Sequence, residues 1–163
     1  IMSVNPVPEG YNTVSVYMVV PKAKEALDFY GKAFGAETVS SMVGPDGESI
    51  MHAELKIGNS RVMLTEENPQ WNMKSPATLG GSPVSMHVYV QDSDAAFNKA
   101  VEAGCEVAFP MENAFWGDRY GKVTDPYGFT WGFASRIEEL SEEEVTRRGQ
   151  EWMANMQEGQ SEI

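Results

Sequence analysis

The chain has 163 residues, 42% hydrophobic and 22% charged, with 24 acidic against 12 basic side chains and a formal net charge of −12. That length suits one domain with an adequate core. The scarcity of Lys and Arg excludes non-specific nucleic-acid binding, which needs cations to displace counterions from phosphate, and the single cysteine, Cys105, excludes an intramolecular disulfide and cysteine-rich zinc sites.

The start, "IMSVNPVPEG", lacks the basic and apolar regions of a signal peptide, and no apolar run reaches the roughly 18 residues that span a bilayer. A cytoplasmic protein without membrane association is expected. "TVSVYMVV" (13–20) then reads as a strand, with Ser15 and Tyr17 on one face and Val14, Val16, Met18 and Val20 on the other. "PKAKEALDFYGKAFG" reads as a helix: Pro21 suits its first turn, Ala26, Leu27, Tyr30, Ala33 and Phe34 recur at helical spacing, and Gly35 fits the position after its end. "AETVSSMV" is a strand, turned by "GPDGE" (44–48) into "SIMHAELKI", and "GNS" turns the chain again into "RVMLTE". The segment 67–82, "ENPQWNMKSPATLGGS", is rich in Pro, Gly and Asn and reads as a connection.

The order then repeats. "VSMHVYV" (84–90) places Ser85, His87 and Tyr89 opposite Val84, Met86, Val88 and Val90. "DSDAAFNKAVEAG" is a second helix with Asp92 or Ser93 as its cap, and Ala96, Phe97, Ala100 and Val101 as its buried stripe. Cys105, just past that helix, reads as a partly buried bystander. "CEVAFPME", "GDRYGKVTD" and "FTWGFAS" supply three more strands. Val20 matches Val90, Ala26 matches Ala96 and Gly35 matches Gly104, an offset of about 69–70 residues that marks a duplication rather than a solenoid. Beyond it, 141–156 is expected to be helical, with Ser141 and Glu144 as a capping box and Val145, Trp152 and Met156 on one docking stripe.

Each half is only about 50 residues, too small to bury much surface alone. Burying the helix stripes against the apolar strand faces leaves a second face carrying Ser15, Tyr17, His52, Glu54, Met63, Ser85, His87 and Tyr89. That face is either the wet side of a sheet or the lining of a ligand-binding concavity. "DPYG" (125–128) is a turn, and Trp131, alternating with Thr130 and Gly132, reads as core. Phe115 and Trp116 precede a strand in a loop, where aromatics need a reason. Either Trp116 and Arg119 clamp a planar or anionic ligand, or Asp118 and Arg119 pair structurally and Trp116 closes the rim. The acidity of the chain serves solubility or draws in a cationic ligand.

The paired βαβββ order, with "ALDFYGKAFGAE" in one half and "WGDRYGKVTDPYGFTW" in the other, resembles the vicinal oxygen chelate superfamily, which holds glyoxalases, bleomycin-resistance proteins and dioxygenases. "HAELKIGNSRVMLTEE", "FWGDRYGKVTDPYG" and "LSEEEVTRR" resemble its PhnB-like branch. The resemblance implies an α+β fold: two βαβββ modules forming a curled, mostly antiparallel eight-stranded sheet, helices on the outer face, and a C-terminal helix. One domain over 1–163 would comprise module one (about 12–66), the linker 67–82, module two (about 83–136) and a helical tail (137–163). Open sheet edges, and a fold that usually closes by pairing chains, make a homodimer the expected state.

Metal-binding members of the superfamily hold one divalent ion with His or Glu from the first and last strands of both modules. By motif those positions fall on Ser15, Met63, Ser85 and Gly132, none of which suits a hard divalent cation. No metal and no cofactor are therefore expected, and no strand–glycine-rich turn–helix cradle is visible. The expected function is metal-free binding of a small molecule on the concave face. The alternative is a lyase, isomerase or dioxygenase-type enzyme with a non-standard site around His52, Glu54 and His87.

Overall fold

The computed structural model describes residues 4–160, with side chains through 157. Module one consists of β1 (Val16–Val20), α1 (Ala23–Phe34), β2 (Glu37–Val43), β3 (Ile50–Ile57) and β4 (Ser60–Glu66). The linker folds into a 3-10 turn at Pro69–Trp71 and a single helical turn, α2 (Pro76–Leu79). Module two repeats the pattern with β5 (Ser85–Tyr89), α3 (Ser93–Ala103), β6 (Glu106–Asn113), β7 (Asp118–Thr124) and β8 (Thr130–Arg136), and α4 (Glu142–Gln160) follows. The expected α+β class, the paired βαβββ order and the C-terminal helix are all present.

The eight strands divide equally between two mixed sheets, ordered β1-β4-β3-β2 and β5-β8-β7-β6. Each first strand runs parallel to the last strand of its module, and the remaining pairs are antiparallel. The register displays the duplication: Tyr17 stands beside Met63 in one sheet, and His87 beside Gly132 in the other. β1 and β5 are therefore both edge strands.

The helices form where the sequence punctuates them. Gly35 ends α1 at φ 65, and its N–H donates to the Tyr30 carbonyl, closing the helix with a left-handed residue that a side chain would strain. The N-terminus of α3 is capped by Asp92, whose carboxylate accepts the Ala95 N–H at 2.9 Å. α1 and α3 lie on the apolar faces of their sheets and touch each other, so Met18, Leu55 and Leu64 share one core with Phe97, Val123 and Trp131. Trp131, expected in the core, is 2% exposed and packs against Phe34 of α1 with ring centroids 4.3 Å apart and planes tilted by 41°. Cys105 is buried, and burial pushes its thiol up to about 12, which leaves it inert.

α4 departs from expectation in two details. Ser141 Oγ accepts the Glu144 N–H, but the Glu144 carboxylate binds Arg147 and Arg148 instead of reaching back, so only half a capping box forms. The stripe also leaves Trp152 43% and Met156 51% exposed; the buried contact is Gly149, where a methyl group would lie 3.1 Å from the Phe115 ring. A larger residue there must lever the helix away. Gly149→Leu is expected to lower the melting temperature by about 2–10 °C through overpacking, and an unchanged melt would show that α4 is not docked. Glu144 is held down at about 2 by its hydrogen bonds to Arg147 and Arg148. A depressed carboxyl contributes above its unfolded value and loses that contribution as pH falls toward the folded one, so proteolysis of the tail should accelerate below about pH 4.

Candidate functional site

The residues expected on the concave face separate into two groups: Tyr17, His52, Glu54 and Met63 on module one, and Ser15, Ser85, His87 and Tyr89 around the gap between the modules. On module one, the Tyr17 hydroxyl lies 3.2 Å from His52 Nδ1, and His52 Nε2 lies 3.8 Å from Glu54 Oε1. Glu54 stands beside Met63 across the β3–β4 ladder, so these four share a face. A phenol, an imidazole and a carboxylate in that order can relay a proton. They line neither of the two cavities described below.

On module two, His87 stacks on Tyr120 (5.5 Å between centroids, 12° between planes) and touches Tyr89. His87 is thus on a different sheet from His52 and Glu54. Among the described residues no three His, Cys, Asp or Glu groups gather as a metal site. Tyr120 lies over Gly132, where a side chain's first carbon would fall 2.8 Å from its ring. The strand position that the resemblance assigns to a metal ligand is therefore covered by an aromatic ring. Hydroxyls at 15 and 85 and a thioether at 63 complete a donor set that does not fit a hard divalent ion.

At the lip, Trp116 stands at a rim, as the second reading had it, but Arg119 has a different partner from the one either reading gave it. Arg119 does not pair with Asp118; its Nε and Nη2 form a bidentate bridge to Asp94 at 2.9 and 2.8 Å, and Nη1 reaches Asn113. That fork holds the Asp94 carboxyl below its ordinary value. Asp118 is buried and accepts from both Trp116 Nε1 and the Tyr89 hydroxyl at 2.9 Å. Trp116 thus hangs from Asp118, 37% exposed, at the rim of a 340 Å³ apolar pocket that it forms with Phe109, Phe115, Tyr120 and Trp152. Arg119 is committed to Asp94 and forms no clamp with Trp116.

A second, roomier space lies between the modules. A cavity of about 670 Å³ runs between the edges of β1 and β5 and is lined by Ser15, Ser85, His87 and Tyr89 from the expected face. Phe34, Trp131 and Phe133 form its apolar floor, and Arg61 and Lys99 also line it. Sequence reasoning missed Arg61, Lys99, Phe34 and Tyr120. Only Tyr120 had a legible signal: a glycine inside an apolar strand, here Gly132, marks a close approach by another group.

A model of the Glyoxalase/Bleomycin resistance protein/Dioxygenase superfamily matches residues 12–133. An uncharacterized protein of Mycobacterium tuberculosis is 41% identical over 135 residues, covering 81% of this chain and 79% of its own. Among solved structures, a gene product of Arabidopsis thaliana superposes with a TM-score of 0.61 at 30% identity, covering 76% of this chain and 98% of that one. A PhnB protein of Bacillus cereus superposes with a TM-score of 0.57 at 16% identity, covering 76% and 99%, a likeness of fold alone. The matched family segment stops before α4, so Trp152 in the apolar pocket comes from outside it.

Proposed function

The chain belongs to the glyoxalase/bleomycin resistance/dioxygenase superfamily, and from that premise we propose that it binds a small organic molecule, without a metal, in the cavity between its two modules. One observation carries the reading: about 670 Å³ of space walled by both modules, with hydroxyls and a histidine above an aromatic floor. Binding sites take this form, an apolar body with a few convergent polar groups. Ser15, Met63, Ser85 and Gly132 supply no suitable ligand for the Lewis-acid chemistry of metal-dependent relatives.

The edges of β1 and β5 bound this space, and Val14 and Val84 just ahead of them are exposed. Unpaired edges beside exposed apolar residues are what a second copy of the chain would cover, so the proposed working form is a homodimer. No helix among the described residues is long and apolar enough to cross a membrane.

Amide chemical-shift mapping with a library of aromatic fragments tests the reading. Hits should move the signals of Ser15, Ser85, His87 and Tyr89 together, on a species of about twice 18.0 kDa by sedimentation. Zinc, manganese, iron(II) and chelators should leave the melting temperature unchanged, whereas a metal bound tightly by the native state alone would raise it. Shifts confined to Phe109, Trp116 and Trp152 would move the site to the apolar pocket and sink the inter-module reading.

A further inference from the structure

The charges lining the inter-module cavity oppose those of the chain as a whole. Although the sequence has 24 carboxylates to 12 basic side chains, neither Asp nor Glu lines the cavity; its charged residues are Arg61 and Lys99. Arg119, Arg136, Arg147 and Arg148 each hold at least one carboxylate. Arg61 is the one arginine among the described residues with no ion-pair partner.

Its isolation is also a matter of hydrogen bonding. Arg61 Nη1 is sealed from solvent and has no acceptor. The chain at Gly10 packs over the guanidinium, since a methyl group on that glycine would lie 3.1 Å from Arg61 Nε. A guanidinium has five donors and no acceptor, and a sealed N–H without a partner is a cost that folds avoid. No carboxylate of the described residues answers the charge of Arg61 at the cavity wall. Lys99, on α3, stands at the C-terminal end of α1, with its Nζ 3.8 Å from the position of a methyl on Gly35. That helix end carries partial negative charge, but it supplies no full counter-charge.

Resting on the reading of this cavity as the ligand site, we propose that its ligand is an organic anion: an oxyanion gripped by Arg61 with Lys99, on an apolar body that lies over Phe34, Trp131 and Phe133. The cavity is far larger than a bare inorganic ion requires, and its aromatic floor calls for the apolar body. Ser15, Ser60 and Ser85 also line the cavity and offer neutral donors to a ligand there. The planar fork of Arg61 matches a carboxylate or a phosphate monoester equally well. The acidic exterior repels any anion at long range, this ligand included, so recognition depends on these local groups rather than on long-range steering.

Matched probes separate the charge from the body. Calorimetry with 2-naphthoate, 2-naphthyl phosphate, neutral 2-naphthylmethanol, cationic naphthalen-2-ylmethylammonium and inorganic phosphate should rank at least one naphthyl anion about tenfold to a hundredfold above the alcohol. That ratio is the usual worth of a charge-assisted hydrogen bond. The ammonium and inorganic phosphate should bind weakest. Whichever naphthyl anion is tighter tells carboxylate from phosphate. Arg61→Gln should erase the preference for the anion and leave the affinity of the alcohol unchanged, while Arg61→Lys keeps part of it. In the unliganded protein, Arg61→Met should melt at or above the wild-type temperature, because it removes an unpartnered cation. Equal affinity for alcohol and anion, unaffected by Arg61→Gln, would overturn the anion inference and leave the cavity reading standing. Absence of binding by every naphthyl probe would end both. A marked loss of stability in Arg61→Met would give Arg61 a structural role and overturn the proposal without any ligand.

Discussion

Replacing Asp125 by alanine should destabilise the fold by at least about 4 kcal/mol, because it orphans several buried donors at once. The carboxylate accepts the Tyr30 hydroxyl at 2.7 Å, Trp131 Nε1 at 2.9 Å and the backbone N–H groups of Tyr127 and Phe129. Tyr30 belongs to α1 and the other donors to module two, so one side chain ties the modules together. For a domain of this size the loss corresponds to a fall in melting temperature of roughly 8–16 °C, measurable by calorimetry. Tyr30→Phe, which removes one donor and keeps the ring, should cost only about 1–3 kcal/mol. Burial pushes the Asp125 carboxyl up against the opposing pull of its donors. Its contribution is therefore fullest below the ordinary carboxyl value and declines as pH climbs through the raised one. The deficit of Asp125→Asn relative to wild type should accordingly shrink between pH 4 and pH 7, and a deficit that grows would contradict this account.

Trp131→Ala should be the other severe change, at about 3–5 kcal/mol for the lost ring and the cavity left behind. Trp131 is the largest of the fully buried side chains, and its neighbours Tyr30 and Phe34 come from the opposite module. Both wild type and variant should therefore melt in a single transition, with no separate unfolding of the halves. Two resolved transitions in the wild type would show that the core is not shared. Since Trp131 also floors the inter-module cavity, the same variant should lose affinity for aromatic fragments, whereas Trp131→Phe should keep most of it.

The elements were legible because apolar periodicity is a local signal: the 69–70-residue offset between Val20 and Val90, or Gly35 and Gly104, identifies the modules without any coordinates. How strands pair is not local. Nothing in "TVSVYMVV" says that it lies parallel to "RVMLTE", or that eight strands form two sheets of four. Partner choice fails for the same reason. Arg119 sits next to Asp118 in sequence but reaches Asp94, 25 residues away. Arg61 escaped notice because a charged residue after "GNS" reads as the wet start of a strand, and lacking a partner is visible only once every carboxylate has a place. His52 and Glu54 were correctly put together by their spacing of two, while the separation of His87 from them needed the tertiary arrangement.

The Tyr30–Asp125 contact also has a meaning in time. A chain is made from its N-terminus, and the acceptor for the Tyr30 hydroxyl lies 95 residues downstream. At a synthesis rate of about 5–20 residues per second, α1 waits roughly 5–20 seconds before its partner is made. During that interval Tyr30 and Phe34 have only the first half of the protein to pack against, and Trp131 does not yet exist. The first module therefore spends its early life with its apolar helix unmatched, and the birth of the second half completes it.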